Sequence, residues 1–357
     1  MKITLTTMDR LTAEQHRAWL AVRECNPALS SPYFHPDFVR LASAVRKGVE
    51  VAVLEEGGRP EGFFAFERRS AGAGMPVAAP LNDFQAVIAR PELLWSAAEL
   101  IRGCGLAVWH FDHLLDVGQA FAQHAWSVTP SPYMDLSRGF EAFCEERRAA
   151  GGTDLPQARR KRKKAEIQLG PLRFVTHTTD SDVFAALARW KGEQYVRTGL
   201  ANLFETPWIV ALLESIRGAQ GAQFSGMLSA LYFGDRLAAA HLGMRSGKVL
   251  HAWFPAYDPE LSRYSPGTIL FCEMAKAAAE LGIHRIDLGK GPEAFKLCLM
   301  SGAVPVAEGA VDFRPVARTL GRWRRSASRW SRQSLLGMPA RLVAAVTRPL
   351  RQRLALR

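Results

Sequence analysis

Residues 248–296 read KVLHAWFPAYDPELSRYSPGTILFCEMAKAAAELGIHRIDLGKGPEAFK, and the succession of strand, loop, helix, strand and short polar helix within them decides the fold. Residues 249–257 alternate with the period of a strand, which sets His251, Trp253 and Tyr257 on one face and Leu250, Ala252 and Phe254 on the other. Asp258 and Pro259 mark a bend. Ser265 then reads as an N-cap and Pro266 as the first residue of a helix carrying Ile269, Leu270, Met274, Ala277, Ala278 and Leu281 at helical spacing. Gly282 stops that helix, and residues 283–288 form a short strand leading into Gly289 and Gly291. A strand feeding a helix presents free backbone amides suited to an anion, and a glycine inside the turn lets a diphosphate approach the backbone. An ordinary capped helix packed on a sheet is the plainer reading of the same residues.

Working outward, residues 227–233 and 236–245 read as strands joined by the turn Gly234-Asp235, and residues 180–197 and 207–217 as helices. From residue 172 the order is strand, helix, helix, three antiparallel strands, helix, strand, helix, strand. That order resembles the GNAT acyltransferase fold. The motifs FPAYDPELSRYSPGTIL (254–270) and IDLGKGPEAFK (286–296) look like the branch named for cellulose and exopolysaccharide biosynthesis, the CelD/BcsL type. That branch is similar in turn to the Fem-type aminoacyltransferases, whose GNAT-like domains lie in tandem. The resemblance extends over most of residues 1–317. The GNAT diphosphate signature Gln/Arg-x-x-Gly-x-Gly/Ala is represented by Arg263 with Gly267, one residue off register. Pro292 stands where the family usually has an acidic residue, and Phe295 where it often has tyrosine.

The resemblance implies an α/β (α+β) fold of two tandem GNAT-like domains, each a mixed, mostly antiparallel sheet flanked by helices. The first would occupy residues 1–145, a basic helical connector 146–171 and the catalytic domain 172–317, followed by a tail at 318–357. It implies acyl transfer from acetyl-CoA or another acyl-CoA to an amine or hydroxyl of a sugar nucleotide, or of an exopolysaccharide or cell-envelope precursor. The donor would lie along Phe254 and Tyr257 and against Arg263, Ser265, Gly267 and Thr268, with main-chain amides near residues 254–257 polarising the thioester. Asp287 would act as base or orient the acceptor; as a plain carboxylate it would cap the Gly289–Gly291 turn. Lys296 matches the lysine that stabilises developing negative charge in the Fem-type relatives. Tyr257 would protonate the leaving thiolate, or simply pack. His251, Trp253, Lys191 and Gln194 would face the acceptor, with residues 200–206 as a lid. Two rivals stand beside this reading: a Fem-like transferase drawing on aminoacyl-tRNA, and a non-catalytic GNAT scaffold binding a cyclic dinucleotide or an assembly partner.

Composition bounds these readings. A chain of 357 residues that is 48% hydrophobic can bury two cores. Five cysteines (Cys25, Cys104, Cys144, Cys272 and Cys298) form no Cys-x-x-Cys pair, so neither a zinc site nor a disulfide framework is expected, and a cytoplasmic setting is. No metal is expected. The opening MKITLTTMDRLTAEQ lacks an apolar leader, and no apolar run reaches the roughly 18–20 residues that cross a bilayer.

The N-terminal part reads as strand 2–6, helices 12–23 and 36–45, strands 49–54 and 62–68 joined by the turn 57–60, helix 91–102 and strand 106–111. Residues 121–126 are ambiguous. His241 reads as a core histidine, and Asn82 and Asp83 as an acceptor loop or an Asx-turn. Residues 140–149 and the run LPQARRKRKKAEIQLG form helices; the latter, without interleaved aromatics, reads as a solvated connector and makes nucleic acid an unfavoured partner. The tail supplies much of the formal net charge of +12 and contains no Asp, Glu or Lys. Leu320, Trp323, Ala327 and Trp330 share one helical stripe and Arg322, Arg325, Arg329 and Arg332 a neighbouring one, a pattern suited to the headgroups of an anionic membrane. A peripheral position on the inner face of the plasma membrane follows from that reading. A cyclic dinucleotide gripped by paired arginines, or a plain basic tail, are the other readings.

Overall fold

The computed structural model describes residues 1–152, 154–291 and 293–314. The tail reading of 318–357 and the departure at Pro292 therefore lie outside the described residues. Residues 1–129 and 305–314 form one compact unit, and residues 130–304 form another.

The first unit comprises β1 (Lys2–Thr6), α1 (Ala13–Glu24), α2 (Pro36–Val45), β2 (Val49–Glu56), β3 (Arg59–Arg68), β4 (Ala73–Met75), β5 (Ile88–Ala89), α3 (Ala97–Gly103) and β6 (Val108–Leu114). Thr12 and Gln15 close a capping box at the start of α1. Gly57 and Gly58, at φ of 58° and 80°, close the β2–β3 hairpin alone, so Arg59 and Pro60, expected in the turn, belong to β3. The helix expected from residue 91 starts at Ala97, because Ser96 and Glu99 form the capping box there. Phe64, Phe66, Trp109, Phe111 and Phe121 make a continuous ring cluster in the core. Beside that core the fully buried carboxylate of Glu67 meets Arg46 at 2.7 Å and Arg69 at 3.2 Å. Asn82 is an Asx-turn residue: its Oδ1 accepts from the Phe84 amide and its Nδ2 donates to the Val77 carbonyl.

β7 (Ala125–Asp135) leads into the second unit, which it joins from Pro130 on. The sequence reading missed this strand, because Pro130 and Pro132 interrupt its donors and read as loop. Then follow α4 (Phe140–Ala149), α5 (Asp154–Leu169), β8 (Leu172–Val175), α6 (Ser181–Arg197), α7 (Pro207–Gly218), β9 (Phe224–Phe233), β10 (Arg236–Ser246), β11 (Val249–Tyr257), α8 (Pro266–Glu280), β12 (Arg285–Asp287), α9 (Ala294–Leu299) and β13 (Gly302–Asp312). The strand order is β7-β12-β11-β10-β9-β8, antiparallel except for the parallel β11–β12 pair. α4, α5 and α8 cover one face through Phe143, Ala158, Ala165, Leu270 and Met274 on Leu231, Leu250 and Ile286. α6 and α7 pack on the other. β13 returns to the first unit, where residues 307–312 pair with β6.

α5 is more than a solvated connector. It buries Ala158 and Ala165, and three polar contacts fasten it to α8 and the turn before it. Arg162 meets Glu273 at 2.6 Å, Lys161 donates to Ser265 Oγ at 2.7 Å, and Tyr264 OH donates to Gln168 at 2.5 Å.

Candidate active site

The site is built where β11 and β12 part. They pair only at Val249↔Arg285, Leu250↔Ile286 and His251↔Asp287. Beyond that rung β11 continues along β10, to Tyr257↔Ala239, whereas Leu288 turns to β7 and donates to the Pro132 carbonyl at 2.9 Å. Residues 252–257 of β11 thus have no β12 partner among the described residues, which opens a wedge between the two strands.

A β-bulge sits at the apex. The register passes from Leu242↔Phe254 to Met244↔His251, so Ala252 and Trp253 together oppose Gly243. One extra residue exchanges the faces beyond it, correcting the strict alternation read from the sequence. Phe254 joins the His251 face, its ring 5.6 Å from that of Phe204 in the α6–α7 connection, and Tyr257 moves to the α8 face. Trp253 is buried against Phe254, ring centroids 5.0 Å apart. Gly243 is required by this packing. A Cβ there would overlap the His251 carbonyl and stand 2.5 Å from His241 Cε1. Gly243→Ala is expected to lose about 2–3 kcal/mol, read from urea unfolding. His241 is a core residue on the α8 face, and burial pushes its imidazole down to about 3, so it stays neutral.

On the α6 face, one rung crosses three strands: His251 on β11, Asp287 on β12 and Tyr133 on β7. His251 and Asp287 are fully buried. The Arg285 guanidinium, two residues along the same face, reaches Asp287 Oδ1 at 3.0 Å and Oδ2 at 3.3 Å and lies over the Tyr133 ring. Burial raises the Asp287 carboxyl above the usual range, while Arg285 and His251 pull it back. Sequence reasoning missed Arg285 and Tyr133. The Arg-x-Asp spacing in β12 was the available signal, since it puts both side chains on one face of a strand.

The turn after β11 departs from the expected cap. Ser265 is left-handed (φ 53°) and makes no side-chain cap bond; its hydroxyl instead accepts from Lys161. Thr268 and Ile269 amides donate to the Ser265 carbonyl, and Pro266 has no amide hydrogen, so Gly267 carries the leading amide of α8. The Tyr257 ring lies alongside it, Cδ1 3.4 Å from where a Gly267 Cβ would stand. Arg263 turns from this amide to Tyr264, donating to its hydroxyl at 2.5 Å. Lys161, 104 residues upstream, had no local signal.

Lys296 is buried rather than superficial. Its Nζ donates to the Gly289 and Lys290 carbonyls at 3.2 and 3.1 Å and meets Glu293 at 3.1 Å, which braces the loop directly after Asp287. Lys191 on α6 lies in the field of Lys296 and Glu293 and donates to Gln194 at 3.0 Å. Burial and the Lys296 charge bring the Lys191 ammonium down to about 8, against the opposing pull of Glu293. The wedge therefore has a helix amide and a cation, Lys161, beside its open end, and a braced loop and a buried carboxylate at its apex. Among the described residues no group of His, Cys, Asp and Glu is gathered to hold a metal, and no helix is long and apolar enough to cross a membrane.

This architecture is a GNAT fold, and residues 156–297 match the family model described as an acetyltransferase (GNAT) domain. FemX is similar over 90% of this chain and 100% of its own, at 11% identity and a TM-score of 0.55. A tandem GNAT protein from the clavulanic acid biosynthesis pathway is similar over 88% of this chain and 99% of its own, at 13% identity and a TM-score of 0.50. The C-terminal domain of an Agrobacterium fabrum protein named as a lysylphosphatidylglycerol synthetase is similar over 88% and 96%, at 15% identity and a TM-score of 0.52. At these identities the likeness is one of fold. No curated protein sequence matches the chain.

Proposed function

We propose that the second unit is an acyl-CoA-dependent acyltransferase of the CelD/BcsL type. It passes an acetyl or other acyl group to an amine or hydroxyl of a sugar or cell-envelope precursor, at the cytoplasmic side of the membrane. The observation that carries this reading is the parting of β11 from β12 after His251 and Asp287, with the bulge beside it. The edge of residues 252–257 that β12 leaves suits the amide-rich pantetheine arm, which hydrogen-bonds as a strand does. The Gly267 amide and Lys161 suit the diphosphate, and their places at the start of α8 fit a doubly charged anion.

Transfer requires the acceptor to lose a proton, the thioester oxygen to be stabilised and the thiolate to leave. Asp287 and His251 stand at the apex for the first. Main-chain amides of β11 serve the second, with Lys296 bracing the loop opposite. Tyr257, expected from the resemblance to protonate the thiolate, stands half-exposed beside Gly267, so in this reading it lines the donor near the diphosphate. His251, Trp253, Lys191 and Gln194 belong to the acceptor side in this reading. Lys296→Ala is expected to lower turnover about tenfold while leaving coenzyme A affinity within twofold, because the brace acts at the apex and not at the diphosphate. Steady-state rates beside calorimetry check it.

A second reading has its own observation. α5 exposes Arg159, Arg160, Lys163 and Lys164 while Lys161 on the same helix reaches Ser265, a basic surface beside the donor turn. That favours aminoacyl-tRNA as donor. Incubation with labelled acetyl-CoA and, separately, labelled aminoacyl-tRNA separates the two. A scaffold that binds neither would show no heat with coenzyme A. The membrane-surface reading of residues 318–357 rests on their sequence alone.

A further inference from the structure

The ion pair at the wedge apex bears on which group takes the acceptor's proton, granted the transferase reading. Both oxygens of Asp287 face the Arg285 guanidinium, at 3.0 and 3.3 Å. Its Oδ2 accepts from the guanidinium, so moving a proton onto Asp287 forfeits that charge-assisted bond, while burial pulls the other way and holds this carboxyl above the usual range. His251 is its neighbour on the same rung and the same face, where a carboxylate can orient an imidazole. On the neighbouring strands of this face stand Tyr133, opposite Asp287, Asp135, opposite Arg285, and the uncharged Met244, opposite His251; Lys191 on α6, which packs over β11, and Lys296 with Glu293 after β12 are the other charges at the site. His241 lies across the sheet on the α8 face.

We propose that His251, not Asp287, accepts the proton released by the acceptor amine, and that Asp287, fixed by Arg285, is the positioning residue that orients the imidazole and balances its charge. At rest Asp287 is paired with Arg285. The amine lone pair forms the new C–N bond, the amine N–H bond breaks and its proton passes to His251. The C–S bond then breaks, and the thiolate leaves with its electron pair. His251 then gives the proton up to sulfur. Burial at the apex amplifies both interactions, since little water screens them.

The test follows the His251 ring by nitrogen-15 spectroscopy in full-length protein labelled at histidine, with His251→Gln assigning the signals. Asp287→Asn is expected to mix the His251 tautomers and lower its titration midpoint by at least about one pH unit, since the balancing anion is gone. Arg285→Gln leaves the carboxylate and removes a cation, so it is expected to move the midpoint upward. Opposite shifts support the dyad; no shift, or shifts of one sign, overturn it. If Asp287→Asn does not fold, the upward shift in Arg285→Gln decides alone. Thiol release from acetyl-CoA between pH 5 and 9 gives the activity readout. His251→Gln is expected to reduce it about tenfold to a hundredfold and to remove the acid limb of the profile; an unchanged limb overturns the proposal. Coenzyme A calorimetry on the same samples keeps the two ideas apart. Binding with unmoved His251 signals removes the dyad only, and absent binding removes the transferase reading while the ring spectra still report on the pair.

Discussion

Glu67→Ala is expected to unfold in urea with about 3–5 kcal/mol less stability than the natural protein, the range found when one partner of a buried ion pair is removed. Glu67 is fully buried and accepts from Arg46 Nε at 2.8 Å, with Arg69 3.2 Å away. Arg46 is nearly as deep, its side chain 9% exposed, so truncation takes the carboxylate from a cation that little water reaches. Glu67→Gln keeps one acceptor and is expected to lose less. A deficit under about 1 kcal/mol in the alanine variant would mean that water or repacking replaces the carboxylate at once. The pH dependence has a definite sign. Burial, partly offset by Arg46 and Arg69, holds this carboxyl above its ordinary 4.5. A raised acid binds its proton more tightly when folded, so the natural protein gains from this group as pH falls through the raised value, and the gain levels off below 4.5. The alanine variant lacks that gain, and its deficit widens on acidification.

Gly267→Val is expected to weaken coenzyme A binding at least about a hundredfold, some 2.7 kcal/mol, with little change in melting temperature. The backbone at 267 suits any L residue, and the nearest atom to an added Cβ is Tyr257 Cδ1 at 3.4 Å, an ordinary contact. The fold therefore has room for valine. A diphosphate drawn to the Gly267 amide does not, because branched methyls stand where its oxygens must come. Equal affinity in the variant would place the charged end of the donor elsewhere, and a large loss of stability would make the comparison one of folding.

The local signals in this chain were legible, and the long-range ones were not. Asp180, Pro207 and Pro266 announce the starts of α6, α7 and α8, and Gly234 and Gly282 announce turns, because caps and left-handed glycines act within a few residues. The same holds for the order of elements from β8 to β13. β7 escaped notice because its evidence is pairing with β12, 150 residues away, while its own prolines argue for loop. The bulge at Ala252–Trp253 escaped because an extra residue is defined only against a partner strand. That single insertion misassigned Tyr257 and Phe254 to faces while leaving His251 correctly placed. Asp287 and Lys296 were found through the motif around them, but Arg285, Tyr133 and Lys161 depend on which strands and helices become neighbours. Local chemistry names the groups; register decides which of them meet.

The β6–β13 pairing has a consequence for biosynthesis. Ala307 and Val311 complete the core of the first unit, and Phe313 donates to the Ala107 carbonyl, yet these residues are translated after all of the second unit. On the ribosome the N-terminal sheet must wait, one edge open, until about 175 further residues have been polymerised, some 10–30 seconds at ordinary elongation rates. A nascent chain in that interval leaves the β6 edge without its β13 partner, an open strand edge of the kind through which chains associate.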